Sequence, residues 1–232
     1  MEGTVARNLY DVVIVYGPLI ALLLQAAVLS RFLEARNRDF PLAILFSLFL
    51  FPLTVFTYIL NLRPNLIPMT VGFTRGYELA DLCMHILLLA LMLQLIRQTL
   101  LSLGEPASVT IGMGAVSGLI AGLAYLYFGD DFTRIRQVVS FWMVLLNLYW
   151  WTLLLRKRKV QRRLMLLSTG IGLMMTGQVI GDGMIILAEK RVLMYTGAYF
   201  AIYLSNYACS YCWYNAFSRV NAADSPNLQS VS

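Results

Sequence analysis

The hydrophobic positions of this chain do not alternate, and they do not follow a simple amphipathic period. They fall into seven long apolar runs, at about Leu9–Phe32, Phe40–Leu62, Thr74–Leu103, Ser108–Phe128, Ile135–Leu155, Leu164–Leu187 and Val192–Phe217. A helix crosses a bilayer with roughly 20 apolar residues, so each run is long enough to span. The breaks between them carry turn chemistry: Arg63-Pro64-Asn65, Gly104-Glu105-Pro106 and Gly129-Asp130-Asp131. Pro18 and Pro52 lie inside runs and predict kinks, while Pro41 sits at a first helical turn, where proline is tolerated. The pattern predicts an all-α polytopic membrane protein with seven transmembrane helices. Residues 1–217 form a single transmembrane domain and residues 218–232 a short polar cytoplasmic tail. The first run lacks a basic start and is long enough to span, so it reads as helix 1 and not as a cleaved leader.

Composition agrees. Of 232 residues, 59% are hydrophobic and 13% charged, about half the charged fraction of an ordinary soluble domain. The net charge of +6 comes mostly from one loop, Arg156, Lys157, Arg158, Lys159, Arg162 and Arg163. It reports orientation and contact with anionic lipid or a cytoplasmic partner, not affinity for nucleic acid. The loops after helices 1, 3 and 5 and the tail hold about 11 of the 18 Lys and Arg. By the positive-inside rule the N-terminus is outside, the C-terminus is cytoplasmic, and the protein is multi-pass in the plasma (inner) membrane.

That orientation gives the polar residues a depth. Glu78, Asp81 and His85 share one face of helix 3, three and four residues apart. At 1.5 Å per residue, Asp81 lies roughly 10 Å and His85 roughly 15 Å below the outer surface. On helix 6, Asp182 lies roughly 8 Å below the outer end, with Gln178 one turn deeper. Helix 7 carries a polar stripe, Tyr195, Tyr199, Tyr203, Asn206 and Ser210, and helix 2 adds Tyr58 and Asn61. Ionisable groups within a span turn toward protein or a watery cavity. The expectation is an outward-facing acidic, aromatic-lined pocket between helices 2, 3, 6 and 7. Glu78, Asp81, His85, Asp182, Gln178, Tyr199, Tyr203 and Asn206 are its candidate ligand-binding or proton-handling residues. The glycines of helix 6, Gly170, Gly172, Gly177, Gly181 and Gly183, make that helix the candidate moving part.

Each feature also has a plainer reading. Glu78, Asp81 and His85 can form an interhelical hydrogen-bond knot, with Arg75 or Arg134 as counter-charge. The tyrosines can be packing glue. Gly114, Gly118 and Gly122 on helix 4 form a small-xxx-small ladder, which reads as helix packing inside the bundle or as a face for a second copy or a partner. Cys209 and Cys212 match a metal or redox spacing, but their surroundings are apolar and no further ligand is near in sequence, so they read as packing residues.

One histidine excludes a bis-histidine haem within this chain, and a zinc hydrolase would need more His or Glu ligands. No nucleotide loop, nucleophile elbow or HExxH pattern occurs. The sequence therefore predicts no catalytic residue, no metal and no bound cofactor. Non-covalent lipid or pigment needs no motif, and aromatic-rich helices can hold it. The seven-helix layout with an outside N-terminus resembles that of rhodopsins and other seven-helix receptors. The retinal lysine that this resemblance implies in helix 7 is missing between Val192 and Phe217. The reading that follows is a receptor or sensor-like module signalling through a partner. The alternatives are a non-catalytic accessory subunit of a larger membrane complex, and a small-solute or proton-coupled transporter.

Overall fold

The computed structural model describes residues 2–32, 41–62, 71–106, 108–156, 162–188 and 191–218. Lys157, Arg158 and Lys159 of the basic loop, the side chain of Asn61 and the tail from residue 219 lie outside the described residues. Among those described, all regular structure is helical: α1 Glu2–Phe32, α2 Pro41–Leu62, α3 Val71–Ser102, α4 Ser108–Phe128, α5 Phe132–Arg156, α6 Arg162–Leu187 and α7 Val192–Ala216. Six of these, α1 to α6, are long and apolar enough to cross a membrane. α7 is long enough, but its six tyrosines and interleaved Asn and Ser dilute its apolar character.

α1, α2, α3, α5, α6 and α7 close a ring, each packed against the next and α7 returning to α1. α4 lies outside it, against α5 and, more lightly, α3. Only 11% of its span is buried, against 50% for α6. It buries Ser117 and Ala124, while Leu126 and Tyr127 are 79% and 83% exposed. An apolar exterior of this kind is stable where the surrounding solvent is hydrocarbon.

The dry core lies where α3, α5 and α6 meet. Leu88, Met92, Ile96, Met143, Leu154 and Ile171 are all fully buried there. Two polar pairs cross between helices inside it, while the buried Ser140 hydroxyl has no partner among the described residues. The indole of Trp150 donates to the Thr99 hydroxyl at 3.0 Å, joining α5 to α3. Ser168 donates to Asn147 Oδ1 at 2.9 Å, joining α6 to α5. Such pairing is required where no water competes for buried donors.

The glycines divide in a way that corrects the sequence reading. Gly114, Gly118 and Gly122 do not pack inside the bundle, because a Cβ added at any of them meets nothing within 4 Å. The close approaches belong to α6. A Cβ at Gly177 would sit 3.0 Å from the Ala201 carbonyl oxygen, and one at Gly181 would sit 3.0 Å from that of Ala198. At Gly170 it would strike the Trp213 ring at 2.6 Å. These glycines seat α6 tightly on α7.

Candidate functional site

Helix geometry brings the two membrane acids together at one guanidinium. α5 begins at Phe132, three residues before its apolar run, which places Arg136 inside the helix, about 6 Å from its start. α5 also stands between α3 and α6. Arg136 therefore reaches Asp81 on one side and Asp182 on the other. Its Nε donates to Asp182 Oδ2 at 3.0 Å and its Nη2 to Asp182 Oδ1. Its Nη1 donates to Asp81 Oδ2. The Gln178 amide donates to the two Asp182 oxygens at 3.1 and 3.2 Å from one turn away on α6.

The cluster is shielded but not sealed. The Asp182 side chain is fully buried, while Asp81 keeps 14% and Arg136 18% of their side-chain exposure. Two carboxylates face one guanidinium, a formal excess of one negative charge. The side-on, two-bond grip on Asp182 is the strong arm, and the single bond to Asp81 is the weaker one.

His85 sits one turn below Asp81 and is buried. Its Nδ1 lies 2.8 Å from the Asp81 backbone carbonyl and 3.9 Å from Asp81 Oδ1. A carbonyl only accepts, so Nδ1 carries the hydrogen of this bond. Nε2 is buried without a partner among the described residues. Glu78, one turn out from Asp81, is partly exposed and takes no part in the cluster.

The counter-charge proposed from sequence is corrected here. Arg75 pairs with Asp130 at 3.0 Å and Arg134 with Asp131 at 3.1 Å, all largely exposed. Neither reaches Asp81. Arg136 was missed as a partner because it sits at the edge of its apolar run and reads as a topology charge. The signal available was position: by the fixed helical rise, its place near the start of helix 5 falls at the level expected for Asp81 and Asp182.

The helix 7 stripe also splits. Tyr199, Tyr203 and Tyr207 stack in sequence, with centroids 6.4 and 6.5 Å apart. They turn toward α1: Tyr10 meets Tyr199 edge-on, Tyr203 covers Gly17, and the Tyr207 hydroxyl donates to the Gly17 carbonyl at 2.7 Å. On the other flank, Tyr77 of α3 and Thr57 of α2 share a hydroxyl contact at 3.0 Å. Asn206 and Ser210 line a separate small cavity with Gln25 and Trp213, beside Met174 of α6. Met174 lies eight residues, about 12 Å, deeper along α6 than Asp182. The single chamber expected between helices 2, 3, 6 and 7 is thus two places: an ion cluster near one end and a neutral cavity further in.

Of the basic loop, Arg156 and Arg162 are exposed at the ends of α5 and α6. Arg163 turns inward, its guanidinium 4.5 Å from the Phe217 ring centroid. It packs against the end of the bundle at Phe217.

All three cysteines are free thiols, and no group of three or more His, Cys, Asp or Glu with metal-site geometry occurs among the described residues. The architecture and site define a helical bundle with several span-capable helices and one buried ion cluster. No protein-family model matches the chain, and no curated protein or solved structure is significantly similar to it.

Proposed function

We propose that the chain is a seven-pass receptor or sensor-like module of the plasma (inner) membrane, with its N-terminus outside and its tail in the cytoplasm. The observation that supports this reading is Arg136, one cation shared by carboxylates on two helices. Such a three-way bond can be redivided. A ligand ammonium group is attracted by the excess negative charge, pairs with the more exposed Asp81, and leaves Arg136 to Asp182. Ligand affinity for one division over the other is what moves α3 relative to α5 and α6. The aromatic flank, Tyr77, Tyr199 and Tyr203, suits a cationic ligand as well. Output would pass to a cytoplasmic partner through the basic segment between α5 and α6.

The test is a melting screen of the purified protein with a panel of small amines and amino acids. The reading expects at least one compound to raise the melting temperature of wild type and not of Asp81→Asn, with no uptake into vesicles. Uptake abolished by Asp182→Asn would replace it with the transporter reading. No shift with any compound, together with a fixed stoichiometric partner on purification from native membrane, would replace it with the accessory-subunit reading. One observation favours that second reading: the exposed Gly114, Gly118 and Gly122 face of α4 is free for another helix, from a partner or a second copy.

A further inference from the structure

The neutral cavity is a site in its own right. It has a volume of about 20 Å³ and lies between α1, α2, α6 and α7. Its polar lining is Gln25, Ser47, Asn206, Ser210 and Trp213. Gln25 is 8% and Trp213 3% exposed. Gln25 Oε1 and Trp213 Nε1 are both buried, and neither meets a hydrogen-bond partner among the described residues. The side chains of Ser47, Asn206 and Ser210 make no hydrogen bond among the described residues either. Two other indoles of α5 are matched: Trp150 to Thr99 and Trp142 to Ser117. An unmatched buried acceptor and an unmatched buried donor at one cavity would each carry the full cost of desolvation. In hydrocarbon no outside water can relieve them.

We propose that this cavity is a binding site for internal water. No carboxylate, guanidinium or ammonium lines it, so the occupant is neutral. It must accept from an indole N–H and donate to an amide oxygen, which requires a molecule that does both. The volume exceeds the roughly 10–15 Å³ that one water needs, and a buried water typically makes about three bonds. One water can take the Trp213 N–H, donate to Gln25 Oε1, and keep capacity for the Asn206 amide and a serine hydroxyl. It then links α1 to α7, with α2 beside it, at the depth where the tyrosine stack ends.

X-ray radiolysis footprinting of the full chain in lipid nanodiscs tests this, because radicals born from bound water oxidise the side chains beside it. Trp213 and Met174 should be oxidised several-fold faster than Trp150 and Met143, which are also buried, at 0% against 3% and 5% exposure, but belong to the dry core. Gln25→Leu should bring Trp213 down to the Trp150 rate while Trp150 and Met143 stay unchanged. If Gln25→Leu raises Trp150 labelling, and so loosens the bundle, Ser210→Ala is the second variant, with the same expected fall at Trp213. Labelling of wild-type Trp213 as slow as Trp150 overturns the proposal, whether the cavity is dry or filled by an organic molecule. So does fast Trp213 labelling that no variant with an intact core reduces.

Discussion

Replacing Arg136 by glutamine should unfold this protein more readily than any other single charge removal. The substitution leaves two carboxylates facing each other with no cation, one of them fully buried and the other 14% exposed. Removing one partner from a buried ion pair costs about 3–5 kcal/mol. The residual exposure of Arg136 and Asp81 lets water relieve part of this, which places the loss near 3 kcal/mol. That is more than a hundredfold in the folding equilibrium, at about 1.4 kcal/mol per tenfold. The single-acid variants should cost less, because each leaves one carboxylate with one guanidinium. Asp182→Asn loses the two-bond grip and should cost about 2 kcal/mol, and Asp81→Asn loses one bond, about 1 kcal/mol. Arg134→Gln, an exposed pair with Asp131, should change stability by under about 1 kcal/mol. Arg136→Met combined with both Asp→Asn changes should recover most of the loss, since a whole buried ion set can be replaced at little cost. Unfolding by SDS titration in bicelles measures the series. An Arg136→Gln variant as stable as Arg134→Gln would refute the buried shared guanidinium, and so would a triple variant no better than the single one.

The glycines make a paired prediction. Gly177→Ala places a methyl group against Ser205 and the Ala201 carbonyl and should cost about 1–3 kcal/mol by overpacking; Gly118→Ala meets open space and should be neutral or gain up to about 1 kcal/mol from helix propensity, both read by the same titration. If the α4 face docks a second copy, Gly118→Leu should shift the protein in lipid from dimer to monomer by cross-linking, and an unchanged oligomer distribution would remove that face from consideration. For orientation, a green fluorescent protein fused after Ser232 should fluoresce and a single introduced cysteine at Asp130 should react with an impermeant maleimide in intact cells; the reverse pair would invert the topology.

Much of this protein was legible in its sequence. Seven apolar runs predicted seven helices, because a lipid-exposed backbone must satisfy its hydrogen bonds within the segment. Boundaries shifted most where a helix begins ahead of its apolar run: α1 starts at Glu2 and not at Leu9, α5 at Phe132 and not at Ile135, and α3 at Val71 and not at Thr74. Depth was also readable. The fixed rise of a helix put Asp81 and Asp182 at one level, and the structure joins them there. Three things were decided only by tertiary packing. The first is the partner of the two acids, because depth along a helix says nothing about which helix is its neighbour; α5 between α3 and α6 made it Arg136. The second is which glycines pack, because small residues four apart look the same in sequence whether they meet a helix, as at Gly177 and Gly181, or open space, as at Gly118 and Gly122. The third is the division of the helix 7 stripe. A change of about one turn in depth, and of azimuth about the axis, sends Tyr203 to α1 and Asn206 to a separate cavity. Periodicity fixes a residue's face on its own helix; what that face meets is fixed only when the other helices are placed around it.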